Sequence, residues 1–258
     1  MFGRDSLLST AQVQRNPNEA GWLGSKVADR TIHYTQVQDA LPDFERRALS
    51  LSQPAGTATS IHPRLDSILR KPTKQDPYER PVGVVSSTYG LVTHKKLFGM
   101  VDEALRNINI GPVKRADLLM SEFGERMHLS LYFPDQFTFD PGDGKPISLR
   151  LEVINSVDGS SRLRILLGWF RFVCSNGLVV GVTQMDLRQR HVRSIEPNEI
   201  MRTLPRRLKE AEDEITTLTD WRKKEVNNEA LCEWVDGPLK EAWGFKAAAR
   251  TWLICNQG

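Results

Sequence analysis

From Ile147 to Val153 apolar residues take every second position, and from Leu163 to Trp169 they do so again: Ile147, Leu149, Leu151 and Val153 are answered by Leu163, Ile165, Leu167 and Trp169. Alternation with period two marks a strand with one buried face. Both apolar sets fall on odd numbers, so an antiparallel pair buries them together only if the intervening loop has an odd number of residues. Val157-Asp158-Gly159 predicts a three-residue turn with Gly159 in the left-handed region, a register that sets Glu152 opposite Arg164. After Gly168 the large apolar residues move to even positions, Phe170, Phe172 and Cys174, as a one-residue bulge at the glycine would produce, and the bulge re-aims Arg171. Asn176-Gly177 then predicts a type I′ turn into a strand from Leu178 to Thr183.

The same reading extends along the chain. Val82 to Tyr89 is rich in β-branched residues and predicts a strand, and Thr93 is placed to cap a helix over 95–108, where Leu97, Val101, Leu105 and Ile108 recur at helical spacing. Strands are expected over 117–123 and 127–133; in the second, Met127, Leu129, Leu131 and Phe133 alternate with His128, Ser130 and Tyr132 as in a half-buried strand. Beyond Val182 the period changes to that of helices, expected over 198–203, 206–224, 228–234 and 238–253, with Pro238 suited to a first helical turn. The predicted fold class is α+β: an antiparallel meander sheet, at about 82–183, with one early helix and a C-terminal helical segment at about 197–254. Residues 1–80 have short, scattered apolar groups, and three prolines fall between Lys71 and Pro81, so they are expected to form an N-terminal arm, partly extended or disordered, ahead of an α+β domain over 81–258.

The elements Asn155-Ser156-Val157-Asp158-Gly159 and Phe170-Arg171-Phe172-Val173-Cys174-Ser175-Asn176 carry a resemblance. They are similar to the signature of the domain-of-unknown-function 932 family, phage- and plasmid-like proteins with Asn-Ser-X-Asp-Gly followed by Phe-Arg-Phe-Val-Cys-Thr/Ser-Asn. The likeness is specific over Asn155 to Gly181 and looser from about Gly83 onward. Val157 stands where members of the family often have His, so no proton-transfer role is expected at that turn. The family has no established activity. What the resemblance implies is a setting, that of mobile genetic elements acting on or near DNA or against host defences.

Composition narrows the picture from another side. The 258 residues carry a net charge of +3, and a pI near 8.8 permits nucleic-acid binding without demanding it. No apolar run approaches the roughly 20 residues of a membrane helix, and the start Met-Phe-Gly-Arg-Asp lacks the pattern of a secretory leader, so no membrane partner and a cytoplasmic location are expected. Cys174, Cys232 and Cys255 are odd in number and far apart, as expected of thiols in a reducing compartment. The five histidines are scattered and no Cys-X-X-Cys or His-Glu-X-X-His occurs, so no metal site is expected. Gly142-Asp143-Gly144 lacks the further glycine and helix of a phosphate loop, so no cofactor is expected either. Cys174 shares the apolar face of its strand and reads as core, leaving no catalytic residue assigned. Glu152, Asp158 and Asp186 are carboxylates whose meeting in space their spacing does not decide.

Basic residues carry the stronger signal. Arg150, Arg162 and Arg164 occupy the strand positions opposite the apolar set, which predicts a positive outer sheet surface. From Gln184 to Lys209, seven Lys and Arg, among them Arg188, Arg190 and Arg193, stand against three acids, a local excess of +4. Lys95 and Lys96 begin the early helix, where the dipole disfavours a cation unless it faces a partner. With Arg171 these residues form the expected nucleic-acid-binding set. The leading expectation is therefore a non-enzymatic, largely sequence-nonspecific DNA-binding protein of a phage or plasmid, with single-stranded DNA favoured, a role in recombination or strand annealing, and a homo-oligomeric state. The alternatives are a protein inhibitor of a host defence system, with a host protein as partner, and a metal-dependent nuclease built on the scattered carboxylates.

Overall fold

The computed structural model describes residues 31–52, 59–73, 76–108, 111–140, 142, 144, 146–172, 179–192 and 198–256. It divides into two units, Met1–Ile215 and Thr216–Gly258. In the first, the strands predicted from alternation assemble as an antiparallel sheet. Its members are β1 (Thr31–Ile32), β5 (Arg115–Met120), β6 (Arg126–Tyr132), β8 (Ile147–Ser156), β9 (Leu163–Phe172) and β10 (Val179–Gln189), paired in that order, with β7 (Thr138–Phe139) attached to β8. A second antiparallel sheet joins β2 (Phe44–Ser52), β3 (Thr59–Arg70) and β4 (Arg80–Ser86). Within the stretch expected as an arm, residues 44–52 and 59–70 are thus strands that pair with each other and with β4. Residues 1–30 lie outside the described residues.

The core lies on the odd-numbered side of β8 and β9. Leu149, Leu151, Val153, Leu163, Ile165, Leu167 and Trp169 are buried there with Leu97, Phe98 and Val101 of helix α2 (His94–Arg106) and Ile200, Leu204, Leu208 and Ala211 of helix α3 (Glu199–Arg222). A short helix, α1 (Val37–Ala40), adds Val37. Thr93 caps α2 as its sequence predicts, its hydroxyl accepting from the Lys96 amide at 3.2 Å. The α+β class, with its antiparallel meander, early helix and C-terminal helices, holds.

Several local expectations change. Glu152 pairs with Leu166 and Ile154 with Arg164, so the β8–β9 register is two residues away from the one expected. The turn is wider because Ser156 closes it: its Oγ donates to the Ser161 carbonyl and accepts from the Ser161 amide, both at 3.0 Å. A shift of two preserves side-chain parity, which is why the apolar faces still coincide. Gly159 sits at φ 80°, as the turn requires. No bulge interrupts β9 at Gly168 in its pairing with β8; the irregularity lies on β10, between Thr183 and Met185. There Gln184 donates to Glu214 at 2.8 Å, and the Trp169 indole donates to the same oxygen at 2.8 Å. Phe170 is buried on the other side of the sheet, over the Arg150 guanidinium at 4.4 Å from the ring centre. Cys174 and the Asn176-Gly177 turn lie outside the described residues.

The helices expected over 198–203 and 206–224 are one helix, with Pro205 inside it. An internal proline costs about 3 kcal/mol, but Ile200, Leu204, Leu208 and Ala211 form one fully buried stripe across it, and burying three large side chains outweighs that. In the second unit, Pro238 lies within a π turn, Val235–Leu239, between α4 (Asn228–Trp234) and α5 (Lys240–Trp243). The wider turn accommodates a residue without an N–H. Gly244, at φ 82°, then separates α5 from α6 (Phe245–Asn256).

Candidate functional site

The Asp158–Gly159 turn lines a cleft of about 580 Å³ together with β4 and the residues that follow β10. Its walls are Val84 to Ser86 and Tyr89, Asp158 to Arg162, and Arg190 to Val192. Each wall is fixed by a specific contact. Gly83 approaches Asp158 so closely that a Cβ there would stand 2.8 Å from the Asp158 Cα. The Tyr89 hydroxyl donates to the Ser156 carbonyl at 3.1 Å, and its ring stacks on His191 with centres 5.0 Å apart. Tyr89 and Val192 form an antiparallel bridge, with the Gly90 amide donating to the His191 carbonyl at 3.1 Å. Arg46 of β2 ties the loop after β4 in place, donating to the carbonyls of Tyr89, at 2.6 Å, and Ser87 while pairing with Asp66 at 2.6 Å. Beneath lies a second apolar cluster of Phe44, Ile68, Val85, Tyr89 and Val157.

The turn itself is rigidly held. Asp158 accepts from the Ser160 amide at 3.0 Å and hydroxyl at 2.6 Å, and pairs with Arg126 at 3.2 Å. Asn155, wholly buried, donates to the Val92 carbonyl and to His94 Nδ1, each at 2.9 Å. His94 Nε2 faces the Gly124 carbonyl at 2.8 Å, an acceptor only, so Nε2 carries the proton and Nδ1 is free to accept. Burial, helped by the neighbouring His191 and opposed by Gly124 and Asp158, brings the His94 pKa down to about 4. His191 is likewise pushed below its usual value by burial, with its Nδ1 donating to the Gly90 carbonyl at 3.2 Å. Both imidazoles are therefore neutral near pH 7, and the charge in the cleft comes from elsewhere.

Arg162 and Arg190 supply it. Both are exposed cleft residues, reached from different strands, and neither forms an ion pair among the described residues. The other arginines expected at a phosphate surface are placed differently. Arg150, 6% exposed, pairs with Glu152 at 2.5 Å, and Arg164, 9% exposed, pairs with Asp186 at 2.9 Å. Arg188 pairs with the same Asp186 at 2.6 Å. The outer sheet face is thus a neutralised ionic layer, since guanidinium groups taken out of water need carboxylates beside them. Lys95 pairs with Asp43 at 2.8 Å, and Lys96 is exposed on α2. The side chain of Arg171, and Arg193 altogether, lie outside the described residues.

Glu152 centres the ionic layer, with His128 Nε2 donating at 2.6 Å and the Ser130 hydroxyl at 2.5 Å. Burial would raise its pKa, but Arg150 and His128 outweigh that and hold it below the usual value. The carboxylates Glu152, Asp158 and Asp186 pair with separate arginines: Arg150, Arg126, and Arg164 together with Arg188. Among the described residues no three His, Cys, Asp or Glu side chains are grouped to hold a metal ion, and no helix is long and apolar enough to cross a membrane.

Sequence reasoning therefore finds the turn and both cleft arginines, and misses Arg46, Tyr89, His94 and His191, each of which bonds to a backbone carbonyl 30 or more residues away along the chain. Asn155 was visible in the signature, but not its task. The model of a family described as a domain of unknown function (DUF932) matches residues 81–250. No curated protein and no solved structure matches the chain.

Proposed function

The chain belongs to the family of the domain of unknown function DUF932, and from that premise we propose that its cleft binds the phosphate backbone of nucleic acid without reacting on it. The observation that carries this reading is the convergence of Arg162 and Arg190 on one cleft, neither of them paired with a carboxylate among the described residues. Guanidinium groups grip phosphate oxygens through paired N–H donors. With two arginines at the ends of separate strands the cleft offers phosphate contacts and no array for reading base edges, so the binding is sequence-nonspecific. A concave site suits a strand flexible enough to bend into it, which favours single-stranded DNA over the stiff duplex. A phage or plasmid setting and a part in recombination or annealing belong to the same proposal.

Binding of purified protein to fluorescent single- and double-stranded oligonucleotides across a salt series, with and without magnesium, tests it. The expected result is salt-sensitive binding without cleavage, tighter for single strands. Replacing Arg162 and Arg190 together by alanine is expected to weaken binding at least tenfold and to reduce the slope of log affinity against log salt by about 1.5, near the value for two lost phosphate contacts. An unchanged slope would remove the cleft from the interface. Cleavage on adding magnesium would replace binding by a nuclease reading.

A further inference from the structure

The walls of the cleft are not all polar. Val84 and Val192 line it while 56% and 48% exposed. Single exposed valines are ordinary on a protein surface, but these two stand on different walls of one concavity, on β4 and beyond the end of β10. The same cleft is lined by Tyr89 and His191, whose stacked rings have only 18° between their planes.

His191 offers the cleft carbon rather than nitrogen. Its Nδ1 is committed to the Gly90 carbonyl at 3.2 Å, and its Nε2 is buried with no hydrogen-bond partner among the described residues. One face of the ring is taken by Tyr89, which is buried and held through its hydroxyl on the Ser156 carbonyl. His191 is nonetheless only half-buried, so what it leaves open is the ring face away from Tyr89 and a carbon edge. The bond to Gly90, the stack on Tyr89 and the Tyr89–Val192 bridge set this ring before any ligand arrives. A preset aromatic face beside two valines and two arginines is the combination a single-strand site needs: guanidinium groups take the backbone, and the ring takes a base, since every base has a π face.

We propose that the cleft holds an unpaired nucleobase, stacked on the open face of His191 as the next layer of the Tyr89–His191 stack and flanked by Val84 and Val192, with its phosphates on Arg162 and Arg190. This occupancy rests on the phosphate-binding reading and adds to it the kind of strand that fits. In a duplex both faces of each base are covered by its neighbours, so only a strand with unpaired bases can fill the apolar part of the cleft. Contact through a face rather than an edge keeps the site tolerant of sequence.

The test compares an oligothymidylate with an abasic oligodeoxynucleotide of the same length, so that charge is equal and only the bases differ. Both are titrated with the full chain across one salt series. The abasic strand is expected to bind about tenfold more weakly, the worth of one stacked base, with the same salt slope for both. His191→Ala is expected to remove that difference by weakening the oligothymidylate alone, and His191→Phe, which keeps a ring and loses both nitrogens, to preserve it. Val84→Ser combined with Val192→Ser, at exposed positions, is expected to shrink the difference as well. Equal affinity of the unaltered protein for the two strands overturns the stacked base and leaves the phosphate reading standing, whereas binding of neither strand overturns both. A difference that persists in His191→Ala, whether or not that variant binds more weakly overall, also overturns the proposal.

Discussion

His94 shows how one buried side chain makes a fold sensitive to acid. Its imidazole is neutral, with one nitrogen committed to the Gly124 carbonyl and the other to the Asn155 amide. A proton on Nδ1 would leave two donors facing each other. The folded-state pKa of about 4 lies below the 6.5 of the free side chain, so between those values the unfolded chain binds the proton more readily. The stabilisation is therefore complete above pH 6.5 and is lost progressively as the pH falls toward 4. Each unit of separation is worth about 1.4 kcal/mol, so the chain is expected to lose about 2 kcal/mol between pH 7 and pH 5. The midpoint of urea unfolding, followed at fixed salt, reads this directly. Glu152 contributes in a different window: its pKa is lowered, so its share is lost only as the pH falls below the ordinary carboxylate range. A midpoint that stays level from pH 7 to pH 5 would mean that His94 is not held neutral.

At the scale of elements, Gly83 on β4 decides how closely the small sheet approaches the Asp158–Gly159 turn. A Cβ at residue 83 would meet Asp158 at 2.8 Å from its Cα and 2.9 Å from its Cβ, distances that neither backbone nor a short side chain tolerates. Gly83→Ala is therefore expected to push the turn away, destabilise the fold by about 1–3 kcal/mol, and loosen phosphate binding by displacing Arg162. Thermal unfolding and oligonucleotide titration of the same variant separate the two effects; loss of stability alone would place Arg162 outside the binding geometry. Much at this scale was legible beforehand. Period-two alternation locates β6, β8 and β9, and their shared core face survives a register error of two residues because parity is unchanged. A single threonine marks the start of α2. The Ser156–Ser161 closure was not legible, because apolar alternation carries no information about a bond between polar side chain and backbone, nor was the Gln184 irregularity, because its partner Glu214 lies 30 residues further along the chain. Alternation also assigned Arg150 and Arg164 to an outward face without revealing that the face is itself buried and electrically balanced.

For the whole molecule, the family match and the folded body begin in different places. The match opens at residue 81, within β4, whereas the partners of β4 lie earlier: β3 pairs with it, β2 pairs with β3, and Phe44 and Ile68 pack beneath it. A chain begun at residue 81 is expected to lose cooperative urea unfolding and to aggregate, since β4 would present an open edge and its apolar side would lie bare. Cooperative unfolding of the shortened chain, with a midpoint near that of the full one, would show the early strands to be dispensable. Arg46 sharpens the point. It stands well ahead of the matched span, yet its guanidinium fastens the Ser87 and Tyr89 carbonyls on the cleft wall. Descent, as the matched stretch measures it, therefore covers the lining of the cleft and stops short of the fastening, so two relatives alike over that stretch alone can inherit the same groove and hold it open to different widths.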